Sequence, residues 1–271
     1  MEERRNLRYL TDQSLGGDQM NILTARNLKK HFGGVKAVDG CSIDIESGTI
    51  VGLIGPNGAG KTTMFNLISG FERGSGEITF KGQRTDNLSP FKIARCGMVR
   101  TFQIPRALTK MSVLENLMLA PTMQRGERIW NVCLRRKKVL EQEQTIKEKS
   151  MGILEFFEID DLRDEYAGAL SGGQKKLLEM ARAIAIDPSL MLLDEPFSGV
   201  NPTLSRKISG HIDELREGGM TFLIIEHDIP AVTKISDRIV VMNEGRVMTE
   251  GKPEEIKRRK DVLDVYLGGE G

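Results

Sequence analysis

The strongest constraint on this chain lies between residues 50 and 62. Ile50-Val51-Gly52-Leu53-Ile54 is an almost continuous apolar run, and Gly55-Pro56-Asn57-Gly58-Ala59-Gly60-Lys61-Thr62 follows it without a gap. Such a run suits a strand buried on both faces of a parallel sheet. The octapeptide is a glycine, four residues, then Gly-Lys-Thr, the spacing of a phosphate-binding loop that opens a helix. The chemistry asks for these residue types. Glycines let consecutive N–H groups turn inward round an anion, and the N-terminus of the next helix adds about half a positive charge. Lys61 can reach the β- and γ-phosphates of a nucleotide, and the Thr62 hydroxyl can ligate Mg2+.

The rest of the chain fits a sheet of this kind. Residues 21–45 alternate apolar and polar side chains around Gly33-Gly34, which reads as two strands joined by a turn. Residues 76–80, 190–193 and 221–225 read as further strands, and 238–242 with 247–250 as a hairpin around Asn243-Glu244-Gly245. Helices are expected at 63–69, at 173–186 before the break at Asp187-Pro188, and at 202–217 before Gly218-Gly219. Strands alternating with helices mean an α/β fold with a mainly parallel sheet. Residues 113–123 and 129–157 read as helices with no strand signal between them, so a helical insertion follows Cys96. Its segment Arg135-Arg136-Lys137-Lys138 reads as a solvated helix face, with contact to an anionic membrane surface as the lesser option. Residues 1–20 lack periodicity and read as a mobile tail.

Composition narrows the function classes. Thirty-nine basic and 38 acidic residues leave a net charge of +1, so no overall field recruits nucleic acid. The longest uncharged apolar runs fall far short of the ~20 residues that span a bilayer. Met1 to Arg5 lead into a polar stretch, so no signal peptide or transmembrane segment is expected. Cys41, Cys96 and Cys133 are scattered, which suits reduced thiols and gives no metal-ligand spacing.

Two further elements carry chemistry. Leu190-Met191-Leu192-Leu193-Asp194-Glu195 places two carboxylates at the C-terminal edge of a buried strand, the edge where open parallel sheets bind ligands. One carboxylate can hold the water shell of Mg2+ and the other can polarise an attacking water. Leu170-Ser171-Gly172-Gly173-Gln174 puts an N-cap serine and two glycines ahead of a helix, a second N-terminus open to an anion.

In this order and spacing, the phosphate loop, the LSGGQ pentapeptide, apolar-Asp-Glu and a later histidine resemble an ATP-binding-cassette ATPase, over about residues 21–250. Arg100-Thr101-Phe102-Gln103, Ile225-Glu226-His227-Asp228 and the ending Val265-Tyr266-Leu267-Gly268 are similar to one ATPase subunit of branched-chain amino-acid importers. The ATPases of other transporters, for urea, other amino acids or lipopolysaccharide export, share the same chemistry, and a soluble non-transport cassette is the remaining alternative. The resemblance implies a P-loop NTPase core with an antiparallel β subdomain (residues 21–95 and 180–271) and a helical subdomain carrying LSGGQ (96–179). It implies ATP and Mg2+ as cofactors. Phe32 then stacks on adenine, residues 55–63 hold the phosphates, and Thr62, Gln103 and Asp194 serve the metal. Glu195 is the general base, while His227, Gln103 and Lys61 complete the catalytic set. Ser171, Gly172, Gly173 and Gln174 of one copy cover ATP held by another. The implied partners are a second ATPase subunit, transmembrane permease subunits met by the segment at Gln103, and indirectly a solute-binding protein. The implied place is peripheral, on the cytoplasmic face of the plasma (inner) membrane. His31 and His211 read as surface residues. Asn201 stands where many such cassettes have an aspartate.

Overall fold

Three strands with no exposed residue set the frame, because only a sheet covered on both faces accepts them. The structure is a computed structural model and describes residues 21–101, 108–121, 136–227 and 229–267. These fall into two compact units. The sheet unit takes the described residues up to Arg100, Ser189–Ser198, and those from Ile212 onward; the helical unit takes Thr101–Pro188 and Gly199–His211.

The sheet unit begins β1 (Asn21–Phe32), β2 (Val35–Glu46), β3 (Ile50–Ile54), α1 (Lys61–Ile68), β4 (Ser75–Phe80), β5 (Gln83–Arg84), α2 (Pro90–Arg95) and β6 (Met98–Arg100). The helical unit follows with α3 (Val113–Met118), α4 (Arg136–Phe156) and α5 (Gly172–Ala185). After β7 (Leu190–Asp194), α6 (Pro202–Glu217) starts in the helical unit and returns the chain to the sheet unit at Ile212. There β8 (Thr221–Ile225), α7 (Ile229–Ile235), β9 (Arg238–Asn243), β10 (Arg246–Gly251), α8 (Pro253–Ile256) and α9 (Lys260–Leu267) complete the order.

One sheet is antiparallel, in the order β2-β1-β4-β5. The other runs β10-β9-β3-β8-β7-β6 and is parallel except for the β9–β10 hairpin. Strands β3, β7 and β8 are buried along their whole length. A core of Leu23, Ile45, Phe65, Phe80, Leu192 and Leu223 is shared by both sheets. Register fixes the functional edge: Leu53 pairs with Ile225, and Ile225 with Asp194. The segments that begin at Gly55, Glu195 and Glu226 therefore leave neighbouring strands side by side.

Several expectations shift. Met98–Arg100, read as part of a helical insertion starting at residue 96, is an edge strand of the core sheet, paired with Leu190, Met191 and Leu192. Three residues are too few to show a period. A boundary at residue 180 would cut α5, which lies wholly in the helical unit. Helix α3 stops at Met118 rather than 123. Residues 1–20, Cys133 and the start of the 129–157 helix lie outside the described residues. Among the described residues no helix is long and apolar enough to cross a membrane.

His211 corrects another expectation. It is buried, 6% exposed, with its ring 4.8 Å from that of Phe156 and 5.0 Å from that of Phe157. Its position on the apolar side of α6 outweighs the polar character of its ring. Its Nε2 has no hydrogen-bond partner among the described residues, and burial pushes its pKa down to about 4. Lys207 adds to that shift and Glu158 opposes it. The folded chain thus binds this proton more weakly than the unfolded one. The stability this group lends is complete above pH ~6.5 and is lost as pH falls toward 4, by at most about 3 kcal/mol. Urea unfolding at pH 7 and pH 4.5 is expected to show this loss, and His211→Leu to shrink it. An equal loss in the variant would refute the assignment.

Candidate functional site

The loop between β3 and α1 is shaped by contacts on its outer side. Met64 N donates to Gly60 O at 2.9 Å and starts the helix. Gly60 has φ +98°, and a Cβ there would run into the carbonyl oxygen of Ala37 in β2, so only glycine fits. Around Gly58, at φ +82°, the space is open, which leaves that stretch of backbone approachable. The turn between β9 and β10 braces the loop from behind. Gly245 N donates to Ala59 O at 3.0 Å, while Gly245 O accepts from Asp39 N at 2.7 Å and from the Cys41 thiol at 3.0 Å. A cavity of about 430 Å³ runs between Asn57 and Gly58 on one side and Glu244 and Asp264 on the other. Tyr266 of α9 packs against the apolar cluster that includes Ile54, and burial pushes its phenol up to about 12.

Lys61 turns into this loop. Its ammonium donates to Gly55 O at 2.7 Å and Pro56 O at 3.0 Å. Burial lowers its pKa, and the charges of Glu195 and Asp194 oppose that shift, so both carboxylates lie within its electrostatic reach. Thr62 is exposed and Thr63 half-buried. A hard divalent cation takes oxygen ligands. The Thr62 hydroxyl and the Asp194 carboxylate are oxygens of this kind, so the donor set fits Mg2+ beside a bound phosphate.

The strand edge brings the remaining acids together. Glu195 sits at φ +49°, a left-handed conformation uncommon for a residue with a side chain and one that gathers at functional sites. Its N–H donates to Ile225 O at 3.0 Å, which pins the turn to β8. His227 Nδ1 lies 3.7 Å from Glu195 Oε1 and 3.8 Å from Glu226 Oε2, and the His227 side chain is 57% exposed. Glu226 is buried and accepts from Phe197 N at 2.8 Å and His227 N at 3.3 Å. Burial raises its pKa, partly offset by those N–H groups and by His227.

Comparison with known proteins decides the family. The ABC transporter family model matches residues 38–198, more than half of the chain. The chain belongs to the ABC transporter family. A probable branched-chain amino acid transport ATP-binding protein, LivG, of Archaeoglobus fulgidus is 48% identical over 252 residues, 93% of this chain and 97% of that protein. The high-affinity branched-chain amino acid transport ATP-binding protein LivG of Escherichia coli K12 is 36% identical, over 91% of this chain and 98% of that one. A crystal structure of the ADP conformation of an ATP-binding cassette of an ABC transporter superposes with a TM-score of 0.79 at 38% identity, covering 92% of this chain and 99% of that one.

The cassette's second element, in the helical unit, matches the expected N-cap. Ser171 Oγ accepts from Gln174 N at 3.3 Å, and Gln174 Oε1 accepts from Ser171 N at 2.9 Å. This reciprocal pair fixes the start of α5. The two glycines differ in reason. A side chain at Gly173 would strike Leu204, whereas Gly172 faces open space and leaves room for an approaching group. A cavity of about 470 Å³ lies between this helix start and the segment at Asn201 and Leu204. Asn201 Oδ1 caps α6 through Leu204 N at 2.8 Å. An aspartate would cap equally well but add a charge to the helix N-terminus.

Of the residues expected from sequence, those at 55–63, Asp194, Glu195 and His227 share the sheet unit. Phe32 ends β1 in the same unit, 47% exposed, with Lys30 Nζ 4.9 Å from its ring centre. Its hairpin continues to Ala37, the residue packed on Gly60. Ser171 to Gln174 belong to the helical unit, and Gln103 lies outside the described residues. Three contributors escaped sequence reasoning: Glu226, the Gly245 brace and Arg100. Glu226 and Arg100 each stood inside a tetrapeptide noted for its resemblance but without a role of its own, and Gly245 inside a hairpin turn.

Proposed function

We propose that this chain is the ATP-binding and ATP-hydrolysing subunit of an importer that takes up leucine, isoleucine and valine through separate transmembrane subunits. The observation that carries it is 36–48% identity, over more than nine tenths of the chain, to proteins named as branched-chain amino acid transport ATP-binding proteins, joined to an intact loop and carboxylate edge. The main-chain amides at 58–63 and the Lys61 ammonium hold the triphosphate. Phe32 stacks on adenine. When bound, Mg2+ neutralises phosphate charge, and Thr62 and Asp194, with Gln103, hold it. Glu195 orients and deprotonates the attacking water, and His227, beside it, meets the γ-phosphate.

The working unit is a dimer closed by nucleotide. A triphosphate gains donors from Ser171 and Gly172 of a second copy, or of a related subunit, only when it is sandwiched. A post-hydrolysis cassette solved as a dimer with ADP and phosphate, 26% identical with a TM-score of 0.67, is a precedent in the family. ATP thereby biases a two-state element, and hydrolysis releases it. With no spanning helix among its described residues, the chain acts at the membrane through partner subunits.

The test is reconstitution. Proteoliposomes holding the chain, its permease subunits and its solute-binding protein are expected to accumulate leucine only with internal ATP. Leucine is also expected to raise ATP turnover. Uptake of urea but not leucine would overturn the solute class and leave the ATPase standing.

A further inference from the structure

One charged residue beside the site is built in more firmly than a counter-ion needs to be. Arg100 ends β6 and pairs with Leu192 of β7. Its side chain is 7% exposed, and that of Asp194 is 10%. One guanidinium nitrogen donates to Asp194 Oδ2 at 2.7 Å. Another donates to Asn66 Oδ1 at 2.6 Å and to Ser69 Oγ at 3.3 Å. The rings of Phe65 and Phe71 lie 5.6 and 5.7 Å from the guanidinium carbon. Arginine suits this place because its planar fork reaches several acceptors at once while its faces stack on rings.

The partners show what is being held. Asn66 belongs to α1, the helix that begins with Lys61 and Thr62, and Ser69 caps its end. Asp194 is the last residue of β7. Arg100 thus ties the helix carrying one magnesium ligand to the strand end carrying the other. It takes one oxygen of Asp194 and leaves Oδ1 for the ion's water shell. Outer partners of this kind orient ligands and tune metal affinity. The geometry points to Arg100 as a positioning residue for magnesium, setting the Asp194 carboxylate against the Thr62 hydroxyl while touching neither nucleotide nor ion. This rests on the ATPase reading above.

The experiment is calorimetry of ADP binding to the full chain, in EDTA and across a MgCl2 series. Wild type is expected to bind ADP in both and to tighten with Mg2+. Arg100→Met is expected to keep its ADP affinity in EDTA within about twofold, but to need about tenfold more Mg2+ for half of the tightening. Arg100→Lys, which keeps the charge but loses the fork, is expected to recover part of it. Arg100→Met with the wild-type Mg2+ requirement overturns the inference. So does a loss of equal size in EDTA, which is what general loosening of the sheet would give. If circular dichroism shows Arg100→Met unfolded, Asn66→Ala decides. It removes one anchor of the guanidinium and is expected to raise the Mg2+ requirement about threefold, and no change overturns the role. Wild type that binds no nucleotide at all overturns the ATPase reading instead, a result distinct from any of these.

Discussion

Lys61→Ala is expected to weaken ATP binding by about two orders of magnitude or more, because it removes the one buried ammonium the loop offers a phosphate. The free chain should barely notice. In it, among the described residues, Lys61 bonds only to the carbonyls of Gly55 and Pro56, and burial already disfavours its charge. Two readouts separate binding from folding. Thermal unfolding without nucleotide is expected to stay within a few degrees of wild type, while the stabilisation that saturating ATP gives wild type disappears. Unchanged ATP affinity by calorimetry would refute the phosphate role of Lys61. A collapse of the ligand-free melting temperature would show instead that Lys61 serves chiefly to close the loop.

Glu195→Gln should do the opposite: preserve ATP binding and remove turnover. Glutamine keeps the shape and the backbone N–H to Ile225 O, so the left-handed turn survives. It cannot accept a proton from water, and loss of such a base costs about 10²–10⁴-fold in rate. The substitution also removes a negative charge from beside Glu226 and Lys61, which favours a bound triphosphate. ATP should therefore accumulate in the sandwich, and size-exclusion chromatography with Mg-ATP is expected to show a stable dimer. Monomer alone under those conditions would contradict the shared site. Turnover close to wild type would contradict Glu195 as the base.

These residues were legible in sequence because the loop and the apolar-Asp-Glu run are local patterns with fixed spacing. The same holds for Ser171, whose capping box is written within four residues. Strands β3, β7 and β8 announced themselves as unbroken apolar runs. What stayed hidden is tertiary. Nothing in Met98–Arg100 says strand, since its status comes from the backbone of β7. His211 read as a surface residue because a lone histidine in an amphipathic helix does not disclose two phenylalanines from α4 and its end. Gly245 looked like an ordinary hairpin turn, and its bond to Ala59 spans most of the chain. Arg100 sat inside a recognised tetrapeptide, but its hold on Asp194 needs two strands and a helix in place first.

That brace has a consequence for how the molecule is made. Strand β3 and its loop leave the ribosome before the helical unit, yet both flanking strands, β8 and β9, and the glycine that steadies the loop are synthesised only after it. Closing such distant pairs is slow compared with local helix formation. A nascent chain therefore carries the nucleotide motif through synthesis of the whole helical unit without the scaffold that shapes it. Cellular ATP meets a competent pocket only once those later strands have joined, when its binding favours the finished sheet over partly assembled forms.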